Sequence, residues 1–136
     1  MINYNEIKTG DYVLASNDGV VWQGEVTNLN GDGKEVCVYN GVQDFWFKSD
    51  ELQAIPLNDE QLQKLMFTKE TLSDGSVKYK KGAFRILLPA EDQFSRFEIW
   101  YRDEKRQILN PIAVHQLQNH YHDMTKVHLN DQAFAE

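Results

Sequence analysis

The amino-acid sequence predicts an α+β chain: a small N-terminal β-barrel over residues 1–57, then a helix, an antiparallel β-meander and a C-terminal helix over residues 58–136. Three observations carry this expectation. Seven Phe, six Tyr and three Trp stand against only eight Gly and three Pro, the balance of a β-rich packed protein with short turns. Turn dipeptides punctuate the first half at short intervals, and near Asn58 the apolar period changes from that of strands to that of a helix. Hydrophobic residues make up 41% of the 136, so there is enough apolar surface to offset chain entropy and a disordered chain is excluded.

Tyr12-Val13-Leu14-Ala15 reads as the first strand and is followed by the turn Asn17-Asp18-Gly19. Val20 to Val26 is the second, Glu35 to Tyr39 the third, and Asn40-Gly41 the turn beyond it. Asp-Gly and Asn-Gly tolerate the positive φ that tight hairpins need, so each pair marks a reversal. Asn28-x-Asn30-x-Asp32-Gly33 imitates the start of a calcium loop, but position twelve would be Tyr39 and the flanks are strands, so it too is a hairpin turn. Strands this short curl, and the segment Gln53–Leu57 is expected to close against the first strand. The entry Ile7–Val13 and exit Asp50–Leu57 resemble those of an SH3-like barrel.

Asn58-Asp59-Glu60-Gln61 offers a cap, two acids for the helix dipole and a reciprocal Gln, ahead of Leu62, Leu65 and Met66, which predicts a helix of two to three turns. A second meander follows: Phe67–Leu72, Val77–Lys81, Ala83–Leu88 and Phe94–Arg102. In the last of these Phe97, Ile99 and Tyr101 alternate with Arg96, Glu98, Trp100 and Arg102, and the first set is expected to face the core. Asn110-Pro111 is a good helix start, with Val114, Leu117, Tyr121 and Met124 as the apolar stripe, expected to pack on the second meander. The tail Val127–Glu136 carries no cap and is expected to be partly ordered at most. Nothing resembling a linker separates residues 1–57 from 58–136, which are read as two subdomains in contact.

Fourteen basic against 21 acidic residues leave a net charge of −7, a sign that repels phosphate backbones and argues against nucleic acid as a general partner. The charge is uneven. Residues 1–57 hold three basic and nine acidic residues, whereas residues 78–106 hold eight basic and five acidic. That polarity suits an acidic protein partner, a homo-oligomer built head to tail, or weak nucleic-acid contact at the second meander. The single Cys37 forms no intrachain disulfide and is expected to be buried as a small hydrophobe. No apolar run reaches the length of a membrane span and the start lacks a signal-peptide pattern, so a cytoplasmic protein with no membrane partner is expected.

The run Val114-His115-Gln116-Leu117-Gln118-Asn119 with Tyr121, preceded about fifty residues upstream by Ile55-Pro56-Leu57-Asn58-Asp59-Glu60, resembles small uncharacterised proteins of phages and mobile elements of gut bacteria. The likeness covers the layout of most of the chain but only these two motifs in residues. This sequence departs from the pattern at Asn58, usually Thr, and at His120 and His122, where apolar or aromatic residues are usual. The resemblance implies an accessory protein and brings no activity with it.

Candidate chemistry is sparse. His115, His120, His122 and His128 crowd the last quarter, but His115 and His122 are seven apart, about 10.5 Å along a helix, and His120 and His122 diverge, so no metal is expected. The helical spacing puts His115, Asn119 and His122 on the side away from the apolar stripe, expected to be a solvated polar face or to make a few ordinary hydrogen bonds. Nucleophile-elbow, phosphate-loop and zinc-protease motifs do not occur, and Glu91-Asp92 and Asp103-Glu104 sit in expected turns, so neither catalysis nor a cofactor is expected. Two binding surfaces remain: an aromatic groove from Trp22, Tyr39, Phe45, Trp46 and Phe47, and the basic second meander with Arg96, Trp100 and Arg102. The function expected is a non-enzymatic interaction protein, with a nucleic-acid-associated regulator as the alternative.

Overall fold

The computed structural model describes residues 1–130. Strands account for 42% of them and helices for 18%, arranged as two antiparallel sheets, so the fold is mostly β rather than α+β. Two compact units divide the chain: Met1–Ile55 with Ala113–His120, and Pro56–Ile112 with the chain from Tyr121 onward. The last helix thus belongs to both units.

In the first unit β1 (Tyr12–Asn17), β2 (Val20–Asn30), β3 (Glu35–Tyr39) and β4 (Asp44–Lys48) form a meander of order β1-β2-β3-β4. The turns fall where Asp18, Gly19 and Gly41 adopt positive φ. A bulge at Thr27 shifts the β2–β3 register, and the hydroxyl of Thr27 bonds Asp44 Oδ1 at 3.2 Å across the bend. Val13, Ala15, Val26, Val36, Val38, Phe47 and Leu52 make the core, with Cys37 also buried at 4% exposure.

The sheet is not a closed barrel, which corrects the SH3-like expectation. After β4 and a 3-10 turn at Ser49–Glu51, the chain meets β1 in a single bridge, Leu14 with Gln53. The next rung of such a ladder would join the Tyr12 N–H to the Ile55 carbonyl. Both groups are engaged elsewhere. Tyr12 N–H donates to Gln118 Oε1 at 2.8 Å and Ile55 O accepts from Val114 N at 2.8 Å, so the final helix takes the place of a closing strand.

The second unit opens with α1 (Asp59–Lys64), under two turns and shorter than predicted. Asn58 caps it, accepting from Gln61 N at 2.9 Å. Met66 ends it: its φ of 69° is the left-handed stop at which Phe67 N bonds back to Leu62 O. Five strands follow in meander order: β5 (Thr68–Thr71), β6 (Val77–Lys81), β7 (Phe84–Leu88), β8 (Phe97–Tyr101) and β9 (Glu104–Ile108). The strand expected over Phe94–Arg102 is therefore shorter, and β9 was not foreseen; Glu104, assigned to a turn, begins it.

The last helix, α2 (Val114–Thr125), starts four residues beyond Asn110. Its true cap is Ala113, whose N–H is bonded by Gln116 Oε1 at 2.8 Å in half of a capping box. Val114, Leu117, Tyr121 and Met124 are all buried, as the stripe predicts. Within the second unit Tyr121 meets Phe84 of β7 at 4.7 Å between ring centroids. Leu129 is 1% exposed, so the start of the tail is packed; residues 131–136 of the expected loose segment lie outside the described residues.

Candidate functional site

Alternation along the second sheet gives it one apolar face and one open face. Tyr79, Ile86 and Ile99 lie side by side across β6, β7 and β8 and are buried. The opposite face carries two cross-strand rows. One runs Lys78, Leu87, Glu98, Gln107; the other runs Lys80, Arg85, Trp100, Lys105. The Arg85 guanidinium lies 5.6 Å from the centre of the Trp100 ring and the Lys105 ammonium 5.5 Å, so the half-buried indole has cations on both flanking strands. Trp100 Nε1 donates to Glu98 Oε1 at 3.1 Å, and Glu98 Oε2 stands 3.7 Å from Lys105 Nζ. Arg85 also donates to the Arg102 carbonyl at 2.7 Å, fixing its fork beside the ring.

A cleft of about 380 Å³ opens at the end of the same face. Its wall is largely apolar, with Leu72, Leu87, Pro89 and Leu109, and its polar lining includes Arg96 and Glu98. Glu98 lines the cleft and accepts the hydrogen bond of Trp100 in the adjoining row. One surface therefore offers an apolar depression, a cationic side chain at it and a cation-flanked indole on the adjoining row. Such a surface suits an apolar side chain next to negative charge.

Arg96, Trp100 and Arg102 are thus placed by the structure in three local settings: the cleft, the centre of the basic row, and the β8–β9 turn. There Arg102 adopts a φ of 55° and its guanidinium lies 5.1 Å from the Tyr101 ring. The eight basic residues of 78–106 do not all share the face. Lys81 is buried and donates to the carbonyls of Leu65 and Asn130, and Arg106, opposite Ile99 on the packed face, lies 3.8 Å from Asp123. Arg85, Lys105 and Leu87 were missed as site residues; the signal for Arg85 was its alternation with Ile86, whereas Lys105 required the unforeseen β9.

The five residues of the expected aromatic groove do not share a face. Trp22, Phe45 and Phe47 pack on the core side, with Trp22 5.9 Å from Phe45 and 6.0 Å from Phe47. Tyr39 and Trp46 alternate to the other side and are 40% and 50% exposed.

The histidines differ from the sequence expectation at one point. His115 is buried at 2% exposure rather than solvated, with Nε2 3.5 Å from Glu6 Oε2 and Nδ1 without a hydrogen-bond partner among the described residues. It belongs to a polar cluster within the first unit. Gln118 bridges the Tyr12 N–H and the Gly10 carbonyl, and Asn119 donates to the Glu6 carbonyl at 2.7 Å. The Val-His-Gln-Leu-Gln-Asn run is therefore a clamp on the segment entering β1. His122 stacks on His128 at 4.5 Å between centroids. Among the described residues no group of three or more His, Cys, Asp or Glu could hold a metal ion.

Asp11 belongs to the same cluster, wholly buried, accepting from Lys8 N at 3.0 Å and ion-paired with Lys8 Nζ. Burial raises its carboxyl above the ordinary 3.8, against the opposing pull of Lys8. The folded chain then holds this proton more tightly than the unfolded chain does. The contribution of Asp11 to stability is accordingly greatest below the ordinary aspartate range and declines as pH rises toward the elevated value. Asp11→Asn is expected to remove that decline from urea-unfolding free energies measured at stepped pH; an unaltered slope would contradict the assignment.

Among the described residues no helix is long and apolar enough to cross a membrane. Compared with known proteins, the chain matches no family model, no curated protein and no solved structure.

Proposed function

We propose that this chain is a non-enzymatic binding protein that uses the open face of its second sheet to take a segment of a protein partner, one presenting an apolar side chain beside carboxylates. The observation that supports this reading is the continuity of the Leu87 cleft with the row Lys80, Arg85, Trp100, Lys105. The apolar group would enter the cleft, and the carboxylates would meet Arg96 and Arg85. An accessory role in a phage or mobile element, as the sequence resemblance implies, fits a protein that acts by occupying a partner.

The row of cations around an indole also favours a second reading, contact with single-stranded nucleic acid through stacking and charge. Glu70 and Glu98 lie among those cations, with Glu70 3.3 Å from Lys78, and the first 57 residues hold nine acids to three bases, which weakens that reading.

A random peptide library displayed against the immobilised protein should enrich sequences with a large apolar residue flanked by Asp or Glu. A synthetic peptide of that consensus should bind about tenfold or more weakly to Trp100→Ala and to Arg96→Glu, a loss of about 1.4 kcal/mol or more. No enrichment, or binding indifferent to both changes, would overturn the reading. Submicromolar, salt-sensitive binding of single-stranded DNA or RNA that Arg85→Ala abolishes would put the second reading in its place.

A further inference from the structure

We infer, building on the proposed binding face, that a second copy of this chain supplies a segment for it: the β3–β4 turn. Val42 at the tip of that turn is 84% exposed, the most exposed large apolar side chain of the first unit. It is held out by a built turn rather than a loose one. Asn40 Oδ1 accepts from Val42 N at 2.8 Å and from Gln43 N at 2.9 Å, Asn40 N bonds Gln43 O at 3.2 Å, and Gly41 takes a φ of 100° that a side chain would strain. Asp44 follows two residues later, with Tyr39 opposite it across the β3–β4 ladder and Glu25 opposite Tyr39. An apolar side chain beside carboxylates, on a fixed scaffold, is the chemistry that the cleft asks for.

The charges match as well. The turn belongs to a stretch of 57 residues with nine acids and three bases, whereas the cleft and the row beside it present Arg96, Lys80, Arg85 and Lys105. Complementary charge steers the two surfaces together, and insertion of Val42 into the cleft supplies the apolar term. The turn and the cleft are different surfaces, so the contact is heterologous: each copy carries one donor and one acceptor.

Sedimentation equilibrium of the whole chain tests this directly. The weight-average mass should rise above 15.8 kDa as concentration goes from micromolar toward millimolar, and should fall back as salt is added. Val42→Lys spoils the donor and Arg96→Glu spoils the acceptor; both positions are exposed, so folding is spared. Each variant alone should stay at the mass of one chain, while their equimolar mixture should regain a two-chain species, because each retains the surface that the other lacks. A wild-type chain that stays monomeric throughout, or association that survives in both variants, would overturn the inference. A library-derived peptide that still binds a strictly monomeric wild-type protein would overturn the self-contact and leave the binding face standing. Absence of both would remove the two together.

Discussion

Leu117→Ala is expected to lower the unfolding free energy by roughly 2–5 kcal/mol, the cost of deleting most of a large aliphatic side chain from a site that cannot collapse around the gap. Leu117 is fully buried, and it stands one residue before Gln118, whose amide occupies the Tyr12 N–H and the Gly10 carbonyl. A shift of the helix into the cavity would pull those hydrogen bonds apart, so relaxation is restrained and the upper half of the range is expected. Urea unfolding followed by tryptophan fluorescence measures it. A loss under about half a kcal/mol, the size usual for surface changes, would mean that the stripe is not core.

Gly24→Ala is the second large effect. Gly24 lies within β2, where a glycine needs a reason. A methyl group there would stand 2.6 Å from the Trp22 ring, 2.6 Å from Val38 Cγ1 and 2.7 Å from the Tyr39 carbonyl oxygen. Trp22 itself packs against Phe45 and Phe47, and the carbonyl is part of the sheet backbone, so no neighbour can yield without disturbing the core. Overpacking of this kind typically costs about 1–3 kcal/mol, and backbone involvement places this case at or above the top of that range. Thermal unfolding should register a clear drop in Tm, whereas Gly19→Ala on the hairpin tip, with nothing among the described residues within 4 Å, is strained by its φ of 79° alone and should cost less. Equal losses for the two variants would show that close approach is not the cause.

The first three strands of the first unit were legible, β2 only as far as Val26, because Asp18-Gly19 and Asn40-Gly41 force reversals locally, whereas β4 was not expected as a strand. The buried stripe of α2 was legible for the same reason, since spacing alone puts Val114, Leu117, Tyr121 and Met124 on one side. Barrel closure was not. It turns on which group satisfies the Tyr12 N–H, and the answer, Gln118, lies 106 residues away. His115 was misplaced by the same kind of long-range pairing, because a helical wheel does not show that Glu6, 109 residues earlier, lies beside it. β9 was missed because four of its five residues are polar or charged and only Ile108 is buried, a pattern that suits an edge strand and leaves little periodic signal.

At the candidate site, Trp100 was legible from alternation with Ile99 and Tyr101, but its neighbours were not. Arg85 and Lys105 reach it only through the registers of β7 and β9 against β8, and register depends on turns that the sequence marks less sharply in this half. The reversed placement of Arg106, which is opposite Ile99 on the packed face, follows from the same register and could not be read from charge counts.

Docking on the open face of the second sheet, as proposed, should be read out by the indole N–H signals. The chain has three Trp, one on that face, one against the first core and one exposed on the first sheet. Titration with a library-derived peptide, at a protein concentration too low for self-association, should move the Trp100 indole resonance to saturation, since its N–H bonds Glu98 at the cleft, while Trp22 and Trp46 stay in place. A peptide that binds and leaves Trp100 unmoved, or that moves Trp46 alone, would place docking away from this face.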